Sequence, residues 1–473
     1  MHIDKKTKIV ATIGPATSTK EMLKKIILNG VNVCRLNFSH GNYDENVKII
    51  QFIREINEEL GIHTAILADL QGPKIRVGDV EKGTVLKEGD TFVLTIKECV
   101  GNNNKAYISY DSFTKDAQPG EQILLDDGKL VLEIISTTKE EVITKVIHGG
   151  PLSSNKGVNL PNTKISLPSL TEKDINDLQF ALQNDIAWIG LSFVRTPKDV
   201  LELKERIEKA GKTAKVVAKI EKPEAVKKID EIIKVSDAIM VARGDLGVET
   251  PIHEVPMVQK RIVKKCIEEA KPVIIATQMM ESMVENITPT RAEVNDVANA
   301  VLDGADAVML SGETSVGKHP DKVIETMVKI IQDTEKEESL YYREYPPHEV
   351  EERFITDSIC FNACRLAQRV NAKAIVTMTH SGYTGFKIAS FRPKAGIYVF
   401  TGNKAILNML SLVWGVQVYF YDKFVSTDDT IADLKETLKK ARKVKKGDLV
   451  INIASMPIYE KGQSNMLKLS YVE

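Results

Sequence analysis

An alternation of apolar runs and helical segments predicts that this 473-residue chain is an α/β protein built on a (β/α)₈ barrel. Eight runs rich in Val, Ile, Leu and Ala alternate with segments of helical spacing. The alternation is interrupted once by strand-like segments, and a second alternation follows the eighth run. We therefore expect a barrel (1–71 and 160–340), an inserted all-β lid in the form of a small β-barrel (72–159) and a C-terminal α/β sandwich (341–473).

The eight runs are short and continuously apolar, which is typical of strands buried on both faces of a parallel sheet. An open doubly wound sheet is the alternative, and the number eight favours closure into a barrel. Helix start signals between the runs agree, since Thr171 is followed by an acid three residues later and Thr196 precedes Pro197. The runs are residues 7–14, 31–39, 64–70, 186–193, 214–221, 238–245, 272–277 and 307–313.

The interruption after the third run has the signature of a β domain. The dipeptide Asp127-Gly128 tolerates the positive φ of a tight hairpin turn. An insertion in a βα loop lies over the C-terminal face of a barrel, where active sites are found, so it is well positioned to act as a lid. Strands are expected at 84–86, 91–96, 106–110, 121–125 and 130–135, and in the C-terminal domain at 372–379, 396–401, 416–421, 448–454 and 466–472.

Charge and composition exclude several classes of protein. The formal net charge of −1 gives no basic field for nucleic acid. No stretch approaches the roughly 20 apolar residues of a membrane span, and the first residues lack the apolar run of a secretory signal. The five cysteines show no zinc-binding spacing and are interpreted as reduced thiols. We expect a cytoplasmic protein that contacts neither membrane nor nucleic acid.

Polar residues stand at the C-terminal ends of the predicted barrel strands, where site residues are expected. Lys219 and Glu221 are two apart on one strand and point the same way. Asp245 ends the next run, so two carboxylates and one ammonium converge at the mouth. Two carboxylates with open positions for water and substrate oxygens suit Mg²⁺. A simple salt bridge explains one such pair, but not the whole ring of polar strand ends.

Further candidates surround this group. Gly244 opens a probable short helix whose free N–H groups can hold a carboxylate or phosphate. Arg35, Arg76 and Lys156 are cations of the predicted mouth and lid, and their positions make them candidates for phosphate contact. Thr277 ends the seventh run.

Longer segments resemble the pyruvate kinase family over essentially the full chain. They are KIVATIGPAT (8–17), RLNFSHG (35–41), DLQGPKIR (69–76), KGVNLP (156–161), AKIE (218–221), MVARGDLGVE (240–249), ATQMMESM (276–283) and PTRAEVNDVANAVLDGADAVMLSGET (289–314). The resemblance implies phosphoryl transfer from phosphoenolpyruvate to ADP, which gives pyruvate and ATP. It also implies Mg²⁺ or Mn²⁺ as cofactor.

The resemblance implies a role for each matching residue. Lys219 neutralises the transferring phosphoryl group, and Arg35 contacts the substrate phosphate. Gly244, Asp245 and Thr277 hold the substrate carboxylate, and Thr277 and Ser311 are the matching positions for proton delivery. The metal ligands are Glu221 and Asp245, and the nucleotide-binding residues are Asn37, Phe38, Ser39, His40, Arg76 and Lys156.

The sequence departs from the common family pattern at the monovalent cation site. Many members carry Glu after the Gly-Pro and bind K⁺ through residues matching Asn37, Ser39, Asp69 and the carbonyl of Leu70. Lys74 stands at the Glu position here. A lysine ammonium can supply the charge of the cation, so we expect K⁺-independence, with a solvent-facing Lys74 beside an ordinary K⁺ site as the alternative.

The C-terminal domain resembles the allosteric domain of the family. Thr379, Ser381, Gly382 and Thr384 match its sugar-phosphate pocket, but the cations often found there are missing. We therefore expect a sugar phosphate or a nucleotide as effector, without a specific identity. The missing cations argue against fructose 1,6-bisphosphate. The family implies a homotetramer.

Two other functions are compatible with parts of the pattern. A metal-dependent aldolase shares the barrel and the Glu/Asp pair, but it has no nucleotide phosphates for Arg76 and the lid to bind. A non-catalytic sugar-phosphate sensor would have lost catalytic residues, and none is missing from the sequence.

Overall fold

The computed structural model describes residues 4–39, 41–349, 352–423, 425–456 and 463–473. Its strands belong to the barrel, to the insertion and to the C-terminal domain. In chain order they are β1 (Lys8–Thr12), β2 (Val33–Asn37), β3 (Ala65–Asp69), β4 (Val85–Leu86), β5 (Thr91–Thr95), β6 (Lys105–Tyr107), β7 (Gln122–Leu125), β8 (Leu130–Thr137), β9 (Glu141–His148), β10 (Gly150–Pro151), β11 (Val158–Asn159), β12 (Trp188–Leu191), β13 (Lys215–Ile220), β14 (Ala238–Ala242), β15 (Val273–Ala276), β16 (Ala307–Leu310), β17 (Ala374–Met378), β18 (Gly396–Thr401), β19 (Val416–Phe420), β20 (Leu449–Ala454) and β21 (Met466–Tyr471).

The α-helices connect these strands and begin at the predicted signals. Thr171 forms a reciprocal capping box with Asp174, and Pro197 occupies the first turn of its helix. The helices are α1 (Lys20–Leu28), α2 (Tyr43–Leu60), α3 (Phe113–Asp116), α4 (Glu172–Gln183), α5 (Pro197–Lys209), α6 (Pro223–Lys227), α7 (Ile229–Val235), α8 (Arg243–Glu249), α9 (Val255–Glu268), α10 (Arg291–Asp303), α11 (Gly312–Ser315), α12 (Pro320–Thr334), α13 (Phe354–Arg369), α14 (Tyr383–Ser390), α15 (Lys404–Met409) and α16 (Thr427–Lys440).

Eight parallel strands close into the predicted barrel, in the order β1-β16-β15-β14-β13-β12-β3-β2. Their side chains are buried almost throughout because helices cover the outside and side chains fill the inside. All eight predicted runs extend past the ends of their strands, and the sixth and eighth runs extend furthest. The sixth ends at Ala242 and the eighth at Leu310, because helices α8 and α11 begin directly afterwards. Asp245 therefore lies on a short helix rather than on a strand.

The insertion between β3 and β12 forms a six-stranded sheet in the order β11-β7-β8-β9-β5-β6 and a two-stranded sheet of β4 and β10. Isolated bridges from Arg76 to Gly157 and from Val77 to Ile108 join residues beside the two edges of the larger sheet. Closure of the larger sheet therefore depends on single bridges rather than on a continuous ladder of paired residues. The predicted hairpin is present between β7 and β8, with positive φ at Asp126 and Asp127.

The C-terminal domain is a five-stranded sheet in the order β19-β18-β17-β20-β21, with only β21 antiparallel. Its five strands overlap the five predicted segments. One continuous apolar cluster covers the barrel and part of this domain, whereas the lid has a separate apolar cluster of its own. The barrel and the C-terminal domain are thus one packed body, and the lid is attached to it with an independent core.

A buried ion pair crosses the contact between barrel and C-terminal domain. Arg392, only 2% exposed, donates to both carboxylate oxygens of Asp306, at 3.0 and 3.3 Å, and to the carbonyl of Gly304 at 2.7 Å. Its guanidinium lies 4.8 Å from the ring centroid of Trp414. The other tryptophan, Trp188, donates from Nε1 to the carbonyl of Met409 across the same contact.

We expect Arg392→Met to lower the free energy of unfolding of the protein by about 3–5 kcal/mol, because Asp306 then keeps a buried charge without a cationic partner. Urea unfolding followed by tryptophan fluorescence measures it, since both tryptophans lie at the contact. Arg206→Met is the matched control: its partner Glu202 is solvent-exposed, and the expected change is within about 0.5 kcal/mol. Equal changes in the two variants would contradict the prediction.

Candidate active site

Lys219 is the centre of a buried charge cluster at the mouth of the barrel. Its Nζ lies 3.1 Å from Asp69 Oδ1 and 3.1 Å from Glu221 Oε1. Arg35 holds the other oxygen of Asp69, with Nε at 2.7 Å and a terminal nitrogen at 2.6 Å. Strands β2, β3 and β13 contribute Arg35, Asp69 and Lys219, and Glu221 directly follows β13. The side chains are at most 11% exposed, so water screens the charges little.

The environment keeps the central pair charged. Burial alone lowers the pKa of Lys219, but Asp69 and Glu221 outweigh it and the net pKa is raised. For Asp69, burial opposes the charge, yet Lys219 and Arg35 bring its pKa below the ordinary value. The pKa of Glu221 is raised, first by burial and also by the neighbouring carboxylate of Asp245, although Lys219 opposes both. The negative charge of Asp245 is therefore close enough to Glu221 to affect its pKa.

Two hydroxyl groups that the sequence analysis did not single out complete the cluster. Lys219 Nζ donates to Ser192 Oγ at 2.7 Å, and Ser192 donates to the carbonyl of Leu70 at 2.7 Å. Arg35 donates to Thr12 Oγ1 at 2.9 Å. Thr12 ends β1 and Ser192 follows β12, so both hydroxyls lie at the C-terminal ends of barrel strands. Their position at strand ends is the signal that the sequence offers, but a hydroxyl residue there does not stand out by itself.

Thr277 follows β15 with a φ of 73°, a left-handed conformation that is strained for a β-branched residue. Arg243 holds this backbone by donating to the carbonyl of Thr277 at 2.7 Å and to that of Ala276 at 3.2 Å, while Asp296 pairs with its guanidinium. Gly244 allows the close approach. A Cβ on Gly244 would lie 2.8 Å from Thr277 Cγ2. The predicted substrate-binding residues Gly244 and Thr277 are therefore in direct contact.

Asp245 lies one residue further along α8, partly exposed, and its carboxylate makes no ion pair within the described residues. A cleft between lid and barrel opens onto it, and Lys74, Asp127, Arg195 and Lys222 also line that cleft. The described residues contain no group of three or more His, Cys, Asp or Glu that could hold a metal alone. Two carboxylates completed by water and substrate oxygens fit Mg²⁺, which rarely takes an all-protein cage.

Ser311, the other predicted proton donor, lies directly after β16. Its N–H donates to Glu313 Oε2 at 2.6 Å, and the N–H of Met280 donates to Glu313 Oε1 at 3.1 Å. Glu313 is fully buried, and burial raises its pKa despite these hydrogen bonds. This carboxyl group, which sequence reasoning left without a role, fixes the turns after β15 and β16 to each other.

The two predicted lid cations lie on neighbouring segments. Arg76 bridges Gly157, and the carbonyl of Lys156 accepts from the N–H of Val77 at 2.8 Å. Lys156 Nζ pairs with Asp126 of the hairpin tip at 2.9 Å. The structure therefore brings Arg76 and Lys156 together, but in the lid and apart from the Lys219 cluster.

The predicted nucleotide loop follows β2. Asn37 Oδ1 accepts from the N–H of Ser39 at 3.1 Å, and Phe38 is buried with its carbonyl bonded to Lys173 at 2.6 Å. His40 lies outside the described residues. Lys74 is exposed, and its ammonium makes no hydrogen bond or ion pair with any described residue.

The predicted effector residues lie at the start of α14. Thr379 accepts from the N–H of Gly382 at 3.0 Å, and Ser381 from the N–H of Tyr383 at 3.4 Å. Gly382 has a φ of 86°, and Thr384 is buried with its hydroxyl 3.3 Å from Ser464 Oγ. These hydroxyls therefore serve the backbone and one another.

Two family models match the chain, and their descriptions are "Pyruvate kinase, barrel domain" over residues 4–324 and "Pyruvate kinase, alpha/beta domain" over residues 357–470. The chain belongs to the pyruvate kinase family. The pyruvate kinase of Corynebacterium glutamicum is 44% identical over 466 residues, which are 98% of this chain and 97% of that protein. A pyruvate kinase of Mycobacterium tuberculosis is 42% identical over 97% of both chains.

A solved pyruvate kinase structure from Cryptosporidium parvum superposes with a TM-score of 0.92 at 34% identity, covering 99% of this chain and 96% of that one. The closed barrel and the C-terminal α/β domain are therefore those of a pyruvate kinase, as the sequence analysis predicted. The chain is an enzyme of this family, and neither an aldolase nor a non-catalytic sensor is favoured.

The contact between Gly244 and Thr277 gives a direct test of this site. We expect Gly244→Ala to displace Thr277 and to lower pyruvate kinase turnover by about 10²-fold, since small misplacements of positioning groups have effects of that size. Gly247→Ala on the same helix is the matched control, because a Cβ there meets nothing closer than 4.0 Å. Steady-state kinetics of the two variants measures the difference. Loss of activity in both, or in neither, would contradict the geometry.

Proposed function

We propose that this chain transfers the phosphoryl group of phosphoenolpyruvate to ADP, giving pyruvate and ATP. The observation that carries the proposal is the buried ammonium of Lys219 between Asp69 and Glu221, beside Arg35. Phosphoryl transfer needs positioning and charge neutralisation more than covalent chemistry. A rigid cation whose orientation is fixed by two carboxylates meets that need.

Each end of the substrate has its own binding residues in this proposal. Arg35 binds the phosphate, and Lys219 neutralises the phosphoryl group as it leaves the enol oxygen. The N–H groups of Gly244 and Asp245 and the hydroxyl of Thr277 bind the carboxylate. Support comes from the close contact between Gly244 and Thr277, since a Cβ on Gly244 would lie 3.6 Å from the Thr277 hydroxyl oxygen.

Pyruvate kinases generally need Mg²⁺ and K⁺ or another monovalent cation. We propose that Glu221 and Asp245 are the protein ligands of Mg²⁺, or of Mn²⁺ in its place. Held by these two carboxylates, the metal would supply positive charge that neutralises the phosphoryl group. The geometry supports the assignment, because β13 and β14 are neighbouring barrel strands and Glu221 and Asp245 follow their C-terminal ends.

The nucleotide is assigned to the lid side of the cleft. Arg76 and Lys156 bind its phosphates, and residues 37–40 (Asn37, Phe38, Ser39 and His40) lie along it. Lys156 now pairs with Asp126, so binding of a phosphate would exchange one anionic partner for another. Closure of the lid over the cleft would exclude water that could otherwise accept the phosphoryl group.

The enolate left by phosphoryl transfer must take a proton at carbon. Thr277 and Ser311 are the proposed donors, alone or through water. Glu313 supports this assignment because it is bonded to the N–H of Ser311 and to that of Met280, three residues after Thr277.

Lys219→Met tests the central assignment. We expect kcat to fall by about 10³-fold, because a preorganised charge at the reacting group is lost. Lys215→Met is the matched control: it lies on the same strand at the opposite end, and its activity should change little. A coupled assay of pyruvate formation gives the rates, and circular dichroism reports the fold. Near-normal turnover of the Lys219 variant would exclude the proposed role.

We further propose that the reaction does not depend on K⁺. In relatives that need K⁺, the residues matching Asn37, Ser39, Asp69 and the Leu70 carbonyl bind the ion and a glutamate stands at position 74. Lys74 brings a positive charge in its place. Support comes from the position of Lys74, which lines the same cleft as Asp245 and makes no ion pair with another described residue.

The test is an assay with Mg²⁺ in which tetramethylammonium replaces K⁺. We expect the rate to change little, whereas Lys74→Glu should make the enzyme depend on K⁺, because the internal charge is then reversed. Lys82→Glu, an exposed lid position, is the charge-matched control. Strong activation of the unaltered protein by K⁺ would contradict the proposal.

The remaining assignments rest on family membership. We propose that Thr379, Ser381, Gly382 and Thr384 bind a sugar-phosphate or nucleotide effector, that the enzyme is a homotetramer, and that it is cytoplasmic. The left-handed Gly382 at the start of α14 supports an anion site there. In the described part of the chain, no helix combines the length and apolarity needed to span a bilayer.

A further inference from the structure

Three residues outside the proposed catalytic set meet at the hinge between lid and barrel. Lys222 directly follows Glu221, Glu249 is the last residue of α8, and Asn159 is the last residue of β11 in the lid. Two of the segments that resemble the pyruvate kinase family, residues 156–161 and 240–249, contain Asn159 and Glu249, yet neither residue has an assigned role.

The contact is buried and its bonds converge on one atom. Lys222 Nζ lies 2.5 Å from Glu249 Oε1, and Asn159 Nδ2 donates to the same oxygen at 2.8 Å. The Glu249 side chain is 1% exposed, and its other oxygen, Oε2, has no partner among the described residues. A buried carboxylate with so few donors depends strongly on each of them, since an unpaired buried charge is unfavourable.

Helix α8 connects this contact to the proposed metal ligands. Glu249 lies four residues after Asp245, so the two carboxylates lie on the same face of the helix, one turn apart. A helix of seven residues is about 10 Å long and moves as a unit. On the barrel side, Lys222 is covalently next to Glu221. Glu249 therefore contacts the lid through Asn159 while it is linked to both proposed ligands.

A second contact strengthens the link between the lid and α8. A Cβ on Gly128, at the tip of the lid hairpin, would lie 3.9 Å from a methyl group of Val248. The C-terminal end of α8 thus meets the lid at both of its last residues, Val248 and Glu249. The N-terminal end carries Gly244 and Asp245.

We propose that Glu249 is a positioning residue that couples lid closure to the geometry of the divalent metal site. With the lid closed, Asn159 and Lys222 together fix Glu249, and α8 then holds Asp245 beside Glu221. With the lid open, Asn159 withdraws and Glu249 loses one of its two polar partners among the described residues. This inference rests on the proposed metal ligands, but not on the proposed substrate.

Mn²⁺ binding to the full chain, read from the free-ion signal in electron paramagnetic resonance, tests the coupling without turnover. We expect Glu249→Gln to weaken Mn²⁺ binding by about tenfold, because supporting residues of a metal site have effects of that size. Glu254→Gln, an exposed glutamate five residues later, is the matched control and should bind as the unaltered protein does. Unchanged Mn²⁺ binding by Glu249→Gln would overturn the proposal.

The lid side is tested by Asn159→Ala, which should lower kcat by about tenfold and weaken Mn²⁺ binding, with little change in the melting temperature because the lid keeps its own core. Asn104→Ala, at an exposed lid position, is its control. In the Glu249→Gln background the Asn159 substitution should add little, since contacting residues are not additive. The coupling would be overturned if the two substitutions lowered kcat and Mn²⁺ affinity independently, so that their effects multiplied. It would also be overturned if Asn159→Ala lowered the melting temperature but left the kinetics and the metal affinity unchanged.

Two further readouts separate the possible results. A fluorophore on Cys99, the one exposed cysteine among the five, reports lid opening by energy transfer from the buried tryptophans. Asn159→Asp should increase lid opening, because the new carboxylate repels Glu249. If the unaltered protein forms no pyruvate, the proposed function fails, and Mn²⁺ binding still decides this inference. If Glu249→Gln does not fold, the Asn159 variants decide it from the lid side.

Discussion

The ion pair of Lys219 with Asp69 and Glu221 is the interaction on which the rest of the site depends. It fixes a cation at the barrel mouth, but it also balances that cation before any substrate arrives. Counting Arg35 and Asp245 as well, two cations face three carboxylates, so the group has one net negative charge. Such a site repels a phosphate. The proposed divalent metal between Glu221 and Asp245 would reverse the sign, and this is a physical reason why the proposed reaction needs one.

The backbone at Thr277 is strained, and neighbouring residues hold it in that conformation. A β-branched residue with positive φ persists only when its surroundings hold it, and here Arg243 binds two successive carbonyls while Gly244 leaves room for the side chain. Asp296 on α10 in turn orients Arg243. The barrel wall therefore maintains an unfavourable backbone where the substrate carboxylate is proposed to bind.

Much of this arrangement could be predicted from sequence because barrel strands are buried on both faces and end in site residues. Lys219, Glu221 and Thr277 were found in that way, whereas Thr12 and Ser192 are hydroxyl residues at strand ends that look ordinary. Strand β9 was missed since its buried face includes Thr144, whose hydroxyl donates to the carbonyl of Phe92, while Ile147 is exposed. Asp245 was expected on a strand, because hydrophobicity alone does not mark where β14 gives way to α8. Long-range pairs such as Asn159 with Glu249 have no local signal at all.

The separation of the lid core from the barrel core has a mechanical consequence. Apolar contacts are weakly directional, and a lid packed on the barrel through them could close in many nearly equivalent positions. Here the apolar cluster of the lid is its own, and the hinge contact that ties it to α8 is polar and buried. Hydrogen bonds to one carboxylate oxygen are short-ranged and angle-dependent, so they select one closed position. In the proposed function the lid aligns Arg76 and Lys156 with groups on the barrel, which requires that kind of selection. Polar contacts at the hinge can supply it without making closure irreversible.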